Sequence, residues 1–423
     1  MTVAFSYQAP GVYVEEISTG GHSIEAAGTS TAAFVGVAPL GNAYLHDPKP
    51  VENFEAFKRL FVGDETKTTD LCQAVRSFFD NGGSRAFVVN IGPGGAMVTG
   101  AGKDGRKGLD TLEEYDEVAI VAAPGFTDAG SYDAVLSHCE RLKDRVAVLD
   151  APRESPEFEI PDFTALTRVA TVALPTGGGG GGAGAGGDGG DKPRAPRDSG
   201  GGQKSYLARQ SSYGSQFFPW FLARNALLPN EYIYTPPSGA AAGIYSRVDA
   251  ERGVHKAPAN EVVRGAYNLR YRVTQKEQES LNTNGVNVIR FFGARGPVLW
   301  GARTRDPGEW KYTSVRRLFC MLEESIGRGT QWVVFEPNDE TLWKSIRRDV
   351  EAFLMRMWRA GMLMGATPQQ AFFVKCDAET NPQENIDAGI VTTMIGVAPV
   401  KPAEFVVFRI GQSSGGTEKV EEG

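Results

Sequence analysis

The sequence predicts an α/β (α+β) fold in more than one domain, and three observations carry that prediction. Between residues 31 and 150, β-prone runs alternate with amphipathic helical segments. The block from 310 to 410 mixes the same element types but places its long helices first. Finally, 423 residues are enough for two or three domains.

In chain order, the first element is a short β-prone run, Val12, Tyr13, Val14, Glu15, Glu16 and Ile17, isolated by Pro10-Gly11 before it and Thr19-Gly20-Gly21 after it. It has no hairpin partner nearby and must join a sheet elsewhere. Residues 31–37 read as a strand ending at Pro39. Two short helices follow, the clearer at 69–80, where Leu71, Val75, Phe78 and Phe79 share one face and Gly82-Gly83 stop it. Strands at 85–91, 118–122 and 146–150, with a helix at 131–142, predict a layer of parallel strands. The Gly-dominated tract 177–202 holds too little apolar surface to offset its ordering entropy and reads as a flexible, outward-facing insertion rather than a binding site. After Tyr206 the pattern becomes globular again. Thr235-Pro236-Pro237-Ser238-Gly239 is rich in turn formers, and strands are expected at 286–292 and 298–302 around Gly296-Pro297.

The last block is the most patterned. A helix at 313–327 puts Val315, Leu318, Phe319, Leu322 and Ile326 on one face. A strand at 332–335 follows, then Asn338 as a cap for a helix at 339–361. That helix carries an apolar stripe of Leu342, Trp343, Ile346, Val350, Phe353, Leu354 and Met357. Its opposite arc holds Lys344, Arg347, Arg348, Arg356 and Arg359, with Glu351 as the sole acid among them. Strands are expected at 371–376, 390–397 and 404–410. The last, Phe405, Val406, Val407, Phe408, Arg409 and Ile410, is apolar on both faces although it lies beside a polar, disordered-looking tail at 411–423. It too needs a sheet to join.

Composition excludes several functions. A net charge of −7 argues against a general nucleic-acid binder, so the basic helix arc is a local exception that points to one acidic partner surface. Hydrophobic content is 41%, and no apolar run approaches the ~20 residues of a membrane span. The start of the chain lacks a signal-peptide pattern, which makes the cytoplasm the expected compartment. Cys72, Cys139, Cys320 and Cys376 are scattered without a CxxC pair, giving neither a zinc site nor a disulfide framework.

Enzyme motifs fail on inspection. Gly28-Thr29-Ser30-Thr31-Ala32-Ala33 looks like a subtilisin-type nucleophile segment, yet only His22 precedes Ser30, no Asp does, and His46, His138 and His255 complete the histidines. Gly92-Pro93-Gly94-Gly95-Ala96-Met97 has Met where a dinucleotide loop needs its third glycine, and Gly102-Lys103 lacks the rest of a P-loop. No catalytic, cofactor-binding or metal-binding residues are expected, and no cofactor.

Taken together, Pro10-Gly11-Val12-Tyr13-Val14-Glu15-Glu16, the segment from Gly28 to Gly36, and Phe78-Phe79-Asp80-Asn81-Gly82-Gly83 resemble the opening of contractile tail sheath proteins. Val286-Asn287-Val288-Ile289-Arg290, Gly301-Ala302-Arg303-Thr304, Ser314-Val315-Arg316-Arg317-Leu318, the segment from Trp332 to Asn338 and Phe405-Val406-Val407-Phe408 look like the carboxy-terminal half of that family. The compact length is closer to phage-tail-like injection systems than to a large myophage sheath. The resemblance implies a middle domain with a subtilisin-like fold but no protease, formed by 25–95 and 204–305. It also implies an outer inserted domain at 96–203 and an α/β inner domain at 306–403. Arms at 1–24 and 404–423 would each add a strand to a neighbour's inner-domain sheet. The implied partners are copies of the chain itself, an inner tube, and baseplate and cap proteins, with no nucleic acid and no membrane insertion. The chain would polymerise around the tube inside a cytoplasmic particle, released on lysis, and contract to drive the tube through a target membrane. Tube-facing candidates are the five basic residues of the helix arc, with Arg316 and Arg317 second. The competing readings are a tube or baseplate component, which predicts no extended strands at both ends, and a cryptic serine hydrolase using Ser30.

Overall fold

A computed structural model describes residues 22–95, 97, 105–153 and 207–405. The expected arm at 12–17, the Gly-rich tract and the terminal strand beyond Phe405 lie outside them. The described residues divide into two compact units, the larger running from 27 to 323 with 399–405, the smaller made of 22–26 with 324–398.

The larger unit holds β1 (Ala32–Gly36), β2 (Lys49–Val51), α1 (Phe54–Phe61), α2 (Asp70–Asp80), β3 (Ala86–Asn90), β4 (Ile120–Ala122), α3 (Ala129–Leu142) and β5 (Val146–Asp150). It continues with β6 (Gly214–Phe218), β7 (Phe221–Arg224), β8 (Tyr232–Thr235), α4 (Pro237–Arg252), β9 (Glu261–Val262), β10 (Asn268–Leu269), α5 (Gln275–Thr283), β11 (Val286–Phe292) and β12 (Gly296–Leu299). Nine strands form one sheet in the order β2-β3-β1-β4-β5-β6-β11-β12-β9, parallel from β3 through β11 and antiparallel at both margins. A small antiparallel sheet, β10-β7-β8, accompanies it.

The sheet is covered on both faces, which explains its continuous apolar strands. Ala32 and Phe34 of β1, Ala86 and Val88 of β3, and Ile120 and Ala122 of β4 pack with α1, α2 and α4. Their alternates Ala33, Val35, Phe87, Val89 and Val121 pack with Tyr132, Val135, Leu136 and Cys139 of α3.

Helix α4 was invisible as a pattern because it is buried on nearly all sides and built of small residues, leaving no amphipathic stripe. The small residues allow close approach to α2: a Cβ on Gly239 would stand 2.2 Å from the Ala74 carbonyl oxygen, and one on Gly243 would stand 2.4 Å from that of Phe78. Gly239→Ala is therefore expected to lower stability by about 1–3 kcal/mol, the usual overpacking cost. Denaturant unfolding measures it.

One expectation is corrected here. Strands β4 and β5, assigned to an outer inserted domain at 96–203, sit in the middle of the main sheet. Their apolar faces are buried between β1 and β6 and cannot form a separate layer. The division into compact units falls inside α6 (Thr313–Gly329), with residues through 323 in the larger unit.

The smaller unit contains the end of α6, α7 (Glu340–Arg359), α8 (Pro368–Ala371), β13 (Phe372–Lys375), α9 (Gln383–Asp387) and β14 (Met394–Val397). The strand expected at 332–335 is a 3-10 turn over Gln331–Val333, and Phe335 follows at φ +72° with its side chain fully exposed. A four-residue apolar run does not distinguish the two without a sheet to join. The N-cap of α7 is Asp339, which accepts from Leu342 N at 2.9 Å. Asn338 instead accepts from Trp343 Nε1 at 2.8 Å and donates to the Ile390 carbonyl at 3.1 Å.

Candidate assembly interface

The apolar stripe of α7 behaves as its periodicity predicts: Leu342, Trp343, Ile346, Val350, Phe353, Leu354 and Met357 are buried. Against this helix lies the hairpin β13–β14, antiparallel with Phe372 opposite Val397, Phe373 opposite Gly396, Val374 opposite Ile395 and Lys375 opposite Met394. Its ends are tied by Ala398 N donating to the Ala371 carbonyl at 2.8 Å. Asn381 pins the approach to β14, accepting from Thr392 N at 2.6 Å and donating to the Thr392 carbonyl at 3.1 Å.

Among the described residues this sheet has two strands and no third. Both outer edges therefore lack a strand partner, although Met364 N donates to the Ala398 carbonyl at 2.8 Å just past β14, and two strands alone are marginally stable in water. Phe373 and Met394 are about half exposed.

The described chain enters the smaller unit at a fixed point. His22 stacks on Trp332 with ring centroids 4.5 Å apart, and its backbone N–H donates to Asp349 Oδ2 at 3.3 Å. Ile24 is buried and its carbonyl accepts from Arg356 Nη2. Whatever precedes residue 22 therefore starts from a rigid root on this unit.

The basic arc of α7 is partly committed. Lys344 pairs with Glu340 at 3.0 Å, Arg348 pairs with Asp349 at 3.0 Å, and Arg356 reaches back to Ile24. Arg347 is half-buried and Arg359 exposed. Arg316 and Arg317 are corrected as surface candidates, being only 6% and 3% exposed. Arg316 stacks 3.6 Å from the Trp310 ring centroid and 4.5 Å from that of Tyr213. Arg317 donates to Asp249 Oδ1 at 2.9 Å, also reaches Asp249 Oδ2, and donates to the Thr29 carbonyl at 2.9 Å. An arginine pair at positions 316 and 317 looks solvated in sequence; the larger unit supplies aromatic and acidic partners that pull both inside.

The residues of the hydrolase reading are dispersed. The Ser30 carbonyl accepts from Ser246 Oγ at 2.8 Å. His46 Nδ1 accepts from Gly108 N at 3.1 Å, and burial together with the Lys107 charge lowers its pKa. His138 is buried with neither ring nitrogen hydrogen-bonded, and burial, with Arg145 and Arg141 beside it, pushes its pKa down to about 4. Asp110 and Glu113 lie close enough to His138 to hold a cation, but Arg141 already takes both carboxylates. Ser238 Oγ donates to Asp150 at 2.8 Å, and so do Ser238 N at 2.6 Å and Gly125 N at 3.0 Å. This contact anchors the start of α4 below the surface; burial raises the Asp150 pKa to about 7 against those donors. All four cysteines are free and buried.

Two family descriptions fit this architecture. The phage tail sheath protein central domain matches residues 209–305, and the phage tail sheath C-terminal domain matches residues 305–413. A solved sheath complex of an extracellular contractile injection system, PVC, in its contracted state superposes with a TM-score of 0.71 at 27% identity, covering 97% of this chain and 99% of that one. Residues 209–413 carry the central and C-terminal domains of the contractile tail sheath family.

The helical sheath of the anti-feeding prophage in its contracted state agrees, with a TM-score of 0.69 at 27% identity over 96% of this chain and all of that one. The tail sheath protein of Salmonella phage ViI is 24% identical over 68% of this chain and 42% of its own length. That of Vibrio phage KVP40 is 26% identical over 43% of this chain and 27% of its own. This sheath chain thus spans less than half the length of those two phage relatives. A sheath tail protein from Desulfitobacterium hafniense, 8% identical with a TM-score of 0.54, shares the fold. No helix among the described residues is long and apolar enough to cross a membrane.

Proposed function

We propose that this chain is a structural sheath subunit that polymerises helically around an inner tube and shortens to drive the tube forward, without catalysis. The observation that carries the reading is that the β13–β14 hairpin has no third strand among the described residues. An open edge is a template for strand addition, in which main-chain hydrogen bonds supply affinity and side-chain pockets set register. The β-prone residues 12–17 and 405–410 of neighbouring copies are the strands it accepts. Such a contact is heterologous, does not close on itself and builds a filament. Contraction then draws its energy from interfaces that improve between an extended and a compact packing, so no nucleotide enters. Supporting the structural rather than hydrolytic reading, Ser30 is engaged through its backbone in strand entry and lacks a histidine partner among the described residues.

Baseplate and cap proteins are the expected partners at the two ends of such a polymer, assembled in the cytoplasm. Electron microscopy of the purified chain tests the reading: long hollow cylinders support it, and uniformly small particles overturn it.

The outward basic residues of α7, chiefly Arg347, Arg348 and Arg359, with Lys344 and Arg356, are the surface we assign to an acidic tube. Arg347→Glu combined with Arg359→Glu is expected to weaken tube-templated assembly about fivefold per subunit, ~1 kcal/mol for exposed pairs. The effect should grow at low salt with an unchanged melting temperature. Co-sedimentation with purified tube measures it, and undiminished sheath on the tube counts against this face.

A further inference from the structure

We infer that Arg303 and Glu404 form a clamp that fixes where the C-terminal arm leaves the subunit, and so sets the tether length between neighbouring copies. This rests on the strand-donation reading above. Arg303 Nε donates to Glu404 Oε1 at 2.8 Å and Nη2 to Oε2 at 2.6 Å, a two-pronged contact of guanidinium on carboxylate. Asn282 Nδ2 adds a third donor to Glu404 Oε1 at 3.0 Å, while Arg303 Nη1 reaches the Asn282 carbonyl at 2.8 Å. Burial raises the Glu404 pKa, but Arg303 and Asn282 outweigh it and hold the carboxyl below its usual range.

The arginine is itself immobilised. Asn287, fully buried in β11, accepts from Arg303 N at 2.7 Å and donates to the Arg303 carbonyl at 2.8 Å. Gly301 permits this approach, since a Cβ there would lie 3.1 Å from the Asn287 Cα. Gly285, at φ +67°, would otherwise place a Cβ 2.5 Å from the Thr304 carbonyl oxygen. The grip thus rests on the strand framework rather than on a loose surface pair. One residue further on, Phe405, the last described residue, is 74% exposed.

The mechanical consequence follows from strand geometry. Each residue freed upstream of Phe405 adds about 3.4 Å of slack, and slippage of a donated strand by a single residue turns every side chain to the wrong face. A helical lattice tied together by arms needs their roots at a fixed position, and a bidentate ion pair anchored to β11 supplies one.

The test uses the full chain and places slack on either side of the clamp. Inserting Gly-Gly between Ala403 and Glu404 leaves the departure point intact and should give cylinders at parental yield. Inserting Gly-Gly between Glu404 and Phe405 lengthens the tether and should cut the yield of ordered cylinders about tenfold, with blurred layer lines in their diffraction. Glu404→Ala should lower yield similarly while the melting temperature of the subunit stays within a few degrees, the pair being near the surface. Parental cylinders from Glu404→Ala, or equal effects of the two insertions, overturn the clamp. Truncation after Glu404, which keeps the clamp and removes the arm, separates the two ideas. If that truncated chain still polymerises, strand donation itself is wrong. If it fails while Glu404→Ala assembles normally, only the clamp is.

Discussion

Deleting residues 1–20, or everything after Ala403, is expected to leave a folded subunit that no longer polymerises. Neither deletion touches the nine-stranded sheet or the helices on its faces. His22 and Ile24, which root the amino-terminal segment on the smaller unit, remain in the first variant. The second removes Glu404 and leaves Arg303 only partly exposed and unpaired, a cost of about 1 kcal/mol. Polymerisation loses much more. A donated strand making ~4–6 hydrogen bonds at a net ~1 kcal/mol apiece contributes ~4–6 kcal/mol to each joint before any apolar burial. Losing that raises the concentration needed for assembly by about three to four orders of magnitude. Far-ultraviolet circular dichroism and thermal melting report the fold, and sedimentation with electron microscopy reports cylinders. Cylinders of normal length from either deletion refute the arm assignment.

Asp249→Ala is expected to be the most destabilising single substitution in the larger unit. Asp249 receives Arg317 through both terminal nitrogens and Thr29 Oγ1 at 2.6 Å, and the pair's side chains are only 5% and 3% exposed. The Arg317 guanidinium also lies 4.7 Å from the Tyr245 ring centroid. Removing the carboxylate leaves a buried guanidinium without its counter-charge, which costs about 3–5 kcal/mol. Replacing both partners with apolar residues, Arg317→Met with Asp249→Leu, is expected to cost far less, since no orphaned charge remains. Urea unfolding of the two variants decides it. A single-variant loss under 1 kcal/mol shows that the pair is solvated in the native subunit.

This ion pair also marks where sequence reasoning stops. Ser314 to Leu318 was legible as a helix and as a family segment, but the direction of Arg317 was not. A helical pattern states which side chains share an arc, and only the neighbouring element decides whether an arc meets water, here α4 carrying Asp249 and Tyr245. The same holds for α4, whose Gly and Ala residues carry no stripe because every side of it is covered. It holds for β4 and β5, which local pattern identified as strands while their place between β1 and β6 depends on pairings across the chain.

From the amino-acid order alone came the alternating strands and helices, the apolar stripe of α7, the absence of a legible catalytic set and the likeness to tail sheaths. All of these are local, set by side-chain chemistry at spacings of two, three and four residues. The tertiary structure decided which charges are spent internally, that the hairpin against α7 has no third strand among the described residues, and that Arg303 meets Glu404 across a hundred residues of chain. Such facts depend on what the fold brings alongside each residue, and no spacing along the chain encodes them.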